Sequence, residues 1–121
     1  MIREIIFFGD KVLDFYSSQE SKVQTKMEYV LDLVRFEQRV PKKFFKKLEN
    51  TNGIYEVRVI TSQKSIRILC FQYDGNLVVL TNGFIKKTQK TPIREIKIAE
   101  KLKKQYYENN YYNADDYECK P

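Results

Sequence analysis

The apolar period of this chain changes once, at the turn-rich cluster Asn50-Thr-Asn-Gly53, and that change limits the fold more than any single motif. Before it, Val23, Met27, Val30, Leu31 and Val34 recur at three- and four-residue spacings, the signature of one buried helical stripe. After it, residues 54–60, 65–73 and 76–81 are rich in β-branched and aromatic side chains, as strands are. Turns are expected near Ser62-Gln63-Lys64 and at Asp74-Gly75, where Asp-Gly suits a two-residue hairpin because both central residues need positive φ. The second half therefore reads as a three-stranded antiparallel meander.

The flanks add a strand and two more helices. Ile2 to Phe8 has the apolar character of a short strand, and Gly9-Asp10 supplies a stop followed by an N-cap. A first helix is predicted from Lys11 to about Tyr16, with Ser17-Ser18-Gln19-Glu20 as the turn into the long helix, which Pro41 ends. Lys42 to Leu48 is then a basic connector anchored by Phe44 and Phe45. Thr91-Pro92 marks another helix start, with Pro in the first helical position and Glu95 in the first turn. That helix should reach about Tyr107 and bury Ile93, Ile96, Ala99 and Leu102. Residues 108–121 read as a loose, Tyr- and Asn-rich acidic tail. The order β-α-α-β-β-β-α defines an α+β domain over residues 1–107, with the long helix covering one sheet face and the other left free for chemistry.

With 121 residues, one core is feasible and two are not. The chain is 42% apolar and 31% charged, within the globular range. No apolar run approaches the ~20 residues that span a bilayer, and the first residues are too charged for a signal peptide, so a cytoplasmic location is expected. Histidine is absent, which excludes Ser-His-Asp and Cys-His nucleophile sites, His-based metal sites and a histidine acid–base pair. Cys70 and Cys119 lack the close Cys or His neighbour that a zinc or redox motif needs, and both read as free thiols.

The net charge of +6 is unevenly spread. Arg35, Arg39, Lys42, Lys43, Lys46 and Lys47 face only Glu37 in one stretch, and eight basic residues from Lys86 to Lys104 face only Glu95 and Glu100 in another. Two such clusters fit a phosphate-rich or acidic partner, although a solvated lysine-rich surface would look the same in composition.

Three local sequences carry a family resemblance: Gly53-Ile-Tyr-Glu-Val-Arg58, Ile66-Arg-Ile-Leu-Cys-Phe71 and Gly83-Phe-Ile-Lys-Lys-Thr-Gln-Lys-Thr-Pro92. With the element order, they make residues 1–107 resemble the phage-derived HigB branch of the RelE/ParE toxins of type II toxin–antitoxin systems. The resemblance implies a compact RelE-like domain, a metal-independent endoribonuclease without cofactor that cuts mRNA on the ribosome. It also implies contact with ribosomal RNA and silencing by a cognate helix-turn-helix antitoxin. By residue-level match, it puts Arg58, Arg67, Lys86 and Lys87 at the cationic site. The chain departs from some relatives in having no histidine there, and Tyr106, Tyr107, Tyr111 and Tyr112 all compete for the place of a C-terminal tyrosine.

RNA cleavage without metal requires activating a ribose 2′-hydroxyl, stabilising the charge of the phosphorane and protonating the leaving 5′-oxygen. Arg58 and Arg67 suit the second task, since guanidinium stays charged and presents a planar fork to phosphate oxygens. Lys86 or Lys87 could serve likewise, or move a proton if neighbouring cations lowered its pKa. Glu56 shares strand parity with Arg58, which leaves two readings open: a general base, or an electrostatic partner of the arginines. Tyr55 has the opposite parity and should pack in the core. Lys42, Lys43, Lys46 and Lys47, with Lys90 and Arg94, are candidates for gripping RNA phosphates. The same scaffold in ParE proteins carries a noncatalytic inhibitor of DNA gyrase, and a basic RNA-binding module without cleavage is a third possibility; the fold alone does not separate them.

Overall fold

The computed structural model describes the backbone of residues 1–118 and the side chains of residues 1–110. Its elements are β1 (Glu4–Phe7), α1 (Lys11–Ser17), α2 (Ser21–Phe36), β2 (Phe45–Lys47), β3 (Ile54–Ile60), β4 (Ser65–Tyr73), β5 (Leu77–Ile85) and α3 (Ile93–Glu118). One five-stranded sheet has the order β1-β5-β4-β3-β2, antiparallel except for the parallel pair of β1 with β5. The α+β class and the meander stand as expected. The Asp74-Gly75 turn has both residues at positive φ, 52° and 87°. Because Tyr73 pairs with Leu77, however, the loop holds three residues rather than two.

Four other boundaries differ from the sequence reading, each for a physical reason. The basic connector contains a strand: Phe45, Lys46 and Lys47 pair with Val57, Glu56 and Tyr55. Two lysines in three residues give no β signal, and the pairing is instead secured by Phe44 and Phe45 packing on the core. α2 stops at Phe36, well before Pro41. Its last carbonyls are taken by the incoming N-terminal strand: Ile2 and Arg3 donate backbone N–H groups to Arg35 O, and the Arg3 guanidinium donates to Val34 O, Glu37 O and Gln38 O at 2.8–3.1 Å. β5 continues through Gly83 and Phe84 to Ile85, past the expected end at residue 81, because the bulge at Thr81 keeps it paired with β4. α3 runs on to Glu118, beyond the expected end near Tyr107; residues 108–118 contain neither Pro nor Gly to stop it. Cys119 lies outside the described residues.

Both sheet faces carry cores. On one, the α2 stripe of Val23, Met27, Val30, Leu31 and Val34 packs with Val12 of α1 against Val57, Val59, Ile66, Ile68, Val78 and Leu80. Tyr55 belongs to this side, stacked on Phe45 with centroids 5.2 Å apart. On the other face Ala99 and Tyr106 of α3 cover Ile54, Leu69, Phe71 and Val79, so the expected free face is in fact partly roofed. Ile93, expected on the buried stripe, is 70% exposed. What stays uncovered is the part of the α3 face beyond the start of that helix.

A β-bulge positions this boundary. Leu69 pairs with Asn82 but Cys70 pairs with Leu80, so Thr81 is the extra residue, bonded through its hydroxyl to Leu69 O. The bulge reverses side-chain parity along β5. Asn82 thereby faces α3 and donates from Nδ2 to Glu95 O and Glu95 Oε1, fixing the first turn of the helix. Gly83 faces α1, where a Cβ would stand 3.0 Å from the Phe15 ring.

Candidate cationic site

Strand pairing builds the site. Arg58 lies directly opposite Arg67, and like charges in that relation repel. Between them sits Glu56, 1% exposed. Its Oε1 accepts a hydrogen bond from Arg58 Nε at 2.9 Å and lies 3.5 Å from Arg67 Nε, a charge contact without hydrogen-bond geometry. Its Oε2 accepts from Thr91 Oγ1 at 2.9 Å. One carboxylate thus braces two guanidiniums and leaves the group net positive. Lys46 adds to that charge from β2 as the direct strand partner of Glu56.

Arg67 is held from its other side by Ser65 Oγ (2.9 Å) and Ile66 O (3.1 Å), both accepting from Nη1. Its pKa is lowered by burial, which the charge of Glu56 opposes and that of Arg58 reinforces. Lys86 follows β5 and donates its backbone N–H to Ser65 O at 2.6 Å, which places it beside Arg67. Burial lowers the Lys86 pKa, and Arg67, Arg58 and Lys46 lower it further against the opposing pull of Glu56. The arrangement therefore sets two guanidiniums beside a lysine that gives up its proton more readily than a free one.

The expected residues divide into three groups. Glu56, Arg58, Arg67 and Lys86 converge, and Lys87 is exposed on the rim of the same concavity with Ser65, Thr88 and Gln89. Lys46 and Lys90 line the adjoining cleft toward α3. Lys42 and Lys47 line a depression at β2 that adjoins this cleft through Lys46 and Leu48, Lys43 lies over the neighbouring Phe44 ring, and Arg94 is exposed outside the cleft. Among the described residues no group of three His, Cys, Asp or Glu side chains is arranged to hold a metal ion.

The model of the family described as "Phage derived protein Gp49-like (DUF891)" matches residues 14–104. The chain belongs to the Gp49-like family. Among solved structures, a chain of the archaeal RelE–RelB complex from Pyrococcus horikoshii OT3 is similar with a TM-score of 0.53 and 16% identity. That match covers 75% of the Gp49-like chain and 100% of the archaeal one, which shows a RelE-like fold. A search of curated proteins finds no match.

Within the Gp49-like chain, two candidate tyrosines lie away from the cationic site. Tyr106 packs among Phe8, Phe71 and Tyr73 with ring centroids 5.0–5.5 Å apart, and Tyr107 lies 5.0 Å from Tyr73. They close the far end of the α3 core. The side chains of Tyr111 and Tyr112 lie outside the described residues. Sequence reasoning gave no role to Thr91 beyond the helix start, nor to Asn82 and Ser65. Ser65 reaches Arg67 along its own strand, two residues away, whereas only the tertiary fold brings Thr91 to the carboxylate and Asn82 to the helix.

Among the described residues no helix is long and apolar enough to cross a membrane.

Proposed function

We propose that this chain is the toxin of a type II toxin–antitoxin pair, a metal-independent endoribonuclease that cuts mRNA on the ribosome in the cytoplasm. The observation that carries the reading is the convergence of Arg58, Arg67 and Lys86 around buried Glu56 at the end of the sheet beyond α3. The family match and the RelE-like fold support it.

In this mechanism the scissile phosphate binds Arg58 and Arg67. Lys86, in its neutral form, takes the proton of the 2′-hydroxyl, and the 2′-oxygen attacks phosphorus. The two guanidiniums stabilise the phosphorane, each contributing around 3 kcal/mol to the transition state. The bond to the 5′-oxygen then breaks, Lys87 supplies the proton to that oxygen, and a 2′,3′-cyclic phosphate remains. Glu56 acts as a positioning residue rather than the base, since its two oxygens already serve Arg58, Arg67 and Thr91. Lys42, Lys43, Lys46, Lys47, Lys90 and Arg94 add cationic surface toward mRNA and ribosomal RNA. A helix-turn-helix antitoxin is the proposed silencing partner, by analogy with the RelE–RelB complex.

The test is induction of wild type and Arg67→Ala in a bacterial host, with mapping of new mRNA 5′ ends. New ends within translated frames for wild type alone support the proposal. Growth arrest by wild type without new ends overturns it in favour of a protein-targeting inhibitor.

A further inference from the structure

Two concavities meet at Arg58, Lys86 and Gln89. The one containing Arg67 and Lys87 is polar and cationic. The other runs toward α3 and adds the aliphatic walls of Leu48, Ile93 and Ile96 to a lining that is otherwise polar and charged. We propose that this second cleft is a nucleobase subsite, taking the base next to the phosphodiester held by Arg58 and Lys86, with Ile93 under the face of that base. The inference rests on the ribonuclease reading and deepens it.

Continuity is the first argument. A phosphodiester at the shared residues must send its flanking nucleosides away from them, and the second cleft offers apolar surface for a base. Asn50, Thr51 and Gln89 line the same cleft and supply amide and hydroxyl groups for base edges. A site for phosphate alone has no use for aliphatic walls. The cleft volume, ≈ 570 Å³, falls within the range of small-ligand pockets, about 300–1,000 Å³.

Preorganisation is the second. On one side, Asn50 is held in the left-handed region at φ 60°, and the turn is tied down at both ends. Thr51 Oγ1 donates to Leu48 O, Asn52 N–H donates to Glu100 Oε2, and Lys103 Nζ donates to Asn52 O, at 2.8–2.9 Å. On the other side, Thr91 is bonded to Glu56 and Thr88 Oγ1 to Lys90 O. Walls fixed before binding lose little freedom when a base enters. Ile93 completes the picture: it lies on the helix that roofs the sheet, yet it is 70% exposed and lines this cleft instead of joining either core.

The experiment uses the purified full chain with programmed ribosomes and a set of mRNAs that differ only in the bases flanking the cut. Ile93→Ala is expected to lower kcat/KM by about three- to tenfold, mainly through KM, and to flatten the preference among bases. Ile93→Phe offers a larger platform and is expected to restore tight binding. Both should melt at the wild-type temperature, because Ile93 is outside the cores. If wild type cuts and Ile93→Ala cuts with unchanged kcat/KM and base preference, the subsite is wrong while the ribonuclease reading stands. If wild type does not cut programmed mRNA at all, the ribonuclease reading fails first and the subsite falls with it.

Discussion

Burial and the neighbouring cations lower the pKa of Lys86. A base with a lowered pKa is neutral over more of the working range, so cleavage limited by it rises about tenfold per pH unit below that pKa and levels off above it. The rate for wild type under single-turnover conditions should follow that profile, levelling off at a lower pH than an ordinary lysine would give. Lys86→Arg, which stays charged, should lose the rise; a profile unchanged by the substitution would remove Lys86 from proton transfer. Thr91 tests the brace around Glu56. Thr91→Val keeps the shape but leaves a buried carboxylate oxygen without its hydroxyl donor, a loss of about 1–3 kcal/mol in stability. It should also lower kcat with little change in KM, while Thr91→Ser retains both. Equal activity for Val and Ser would show that the 86–92 segment needs no such anchor. The two arginines and Lys86 were legible in the sequence by resemblance, and Glu56 by strand parity. Its contact with Thr91, 35 positions away, was not, because nothing local in the sequence marks it.

At the scale of elements, the helical and extended periods gave β3 and β4 with their observed bounds and every buried position of the α2 stripe. Termination was less legible. Pro41 looked like the stop of α2, but the three bonds from Arg3 end the helix earlier, and a contact across 31 or more positions leaves no local mark. β2 was hidden for a related reason, since its stability lies in pairing with β3 rather than in its own composition. Within the Gly83-Phe84 segment the bulge turns Gly83 toward α1, where the Phe15 ring packs so closely that a side chain would push it away. Gly83→Val should therefore destabilise the fold by about 1–3 kcal/mol, read as a lower urea midpoint. A midpoint equal to wild type would show that α1 can shift freely, contrary to the tight packing between α1 and β5.

The whole molecule places its chemistry where a roof ends. α1 and α2 close one sheet face, α3 roofs part of the other, and beyond the start of α3 two arginines stand opposite one another with a single buried carboxylate between them. The net charge of +6 thus has a local focus, which composition alone could not distinguish from a solvated surface. The central claim is that this focus cleaves RNA. The most direct measurement incubates purified wild type and Arg67→Ala with programmed ribosomes and analyses the mRNA ends, after circular dichroism has shown that both proteins are folded. Wild type should cut and leave a 2′,3′-cyclic phosphate, and Arg67→Ala should cut about 10²- to 10³-fold more slowly. A folded Arg67→Ala protein that cuts at the wild-type rate, or a folded wild type that binds ribosomes and leaves the mRNA intact, would contradict the account.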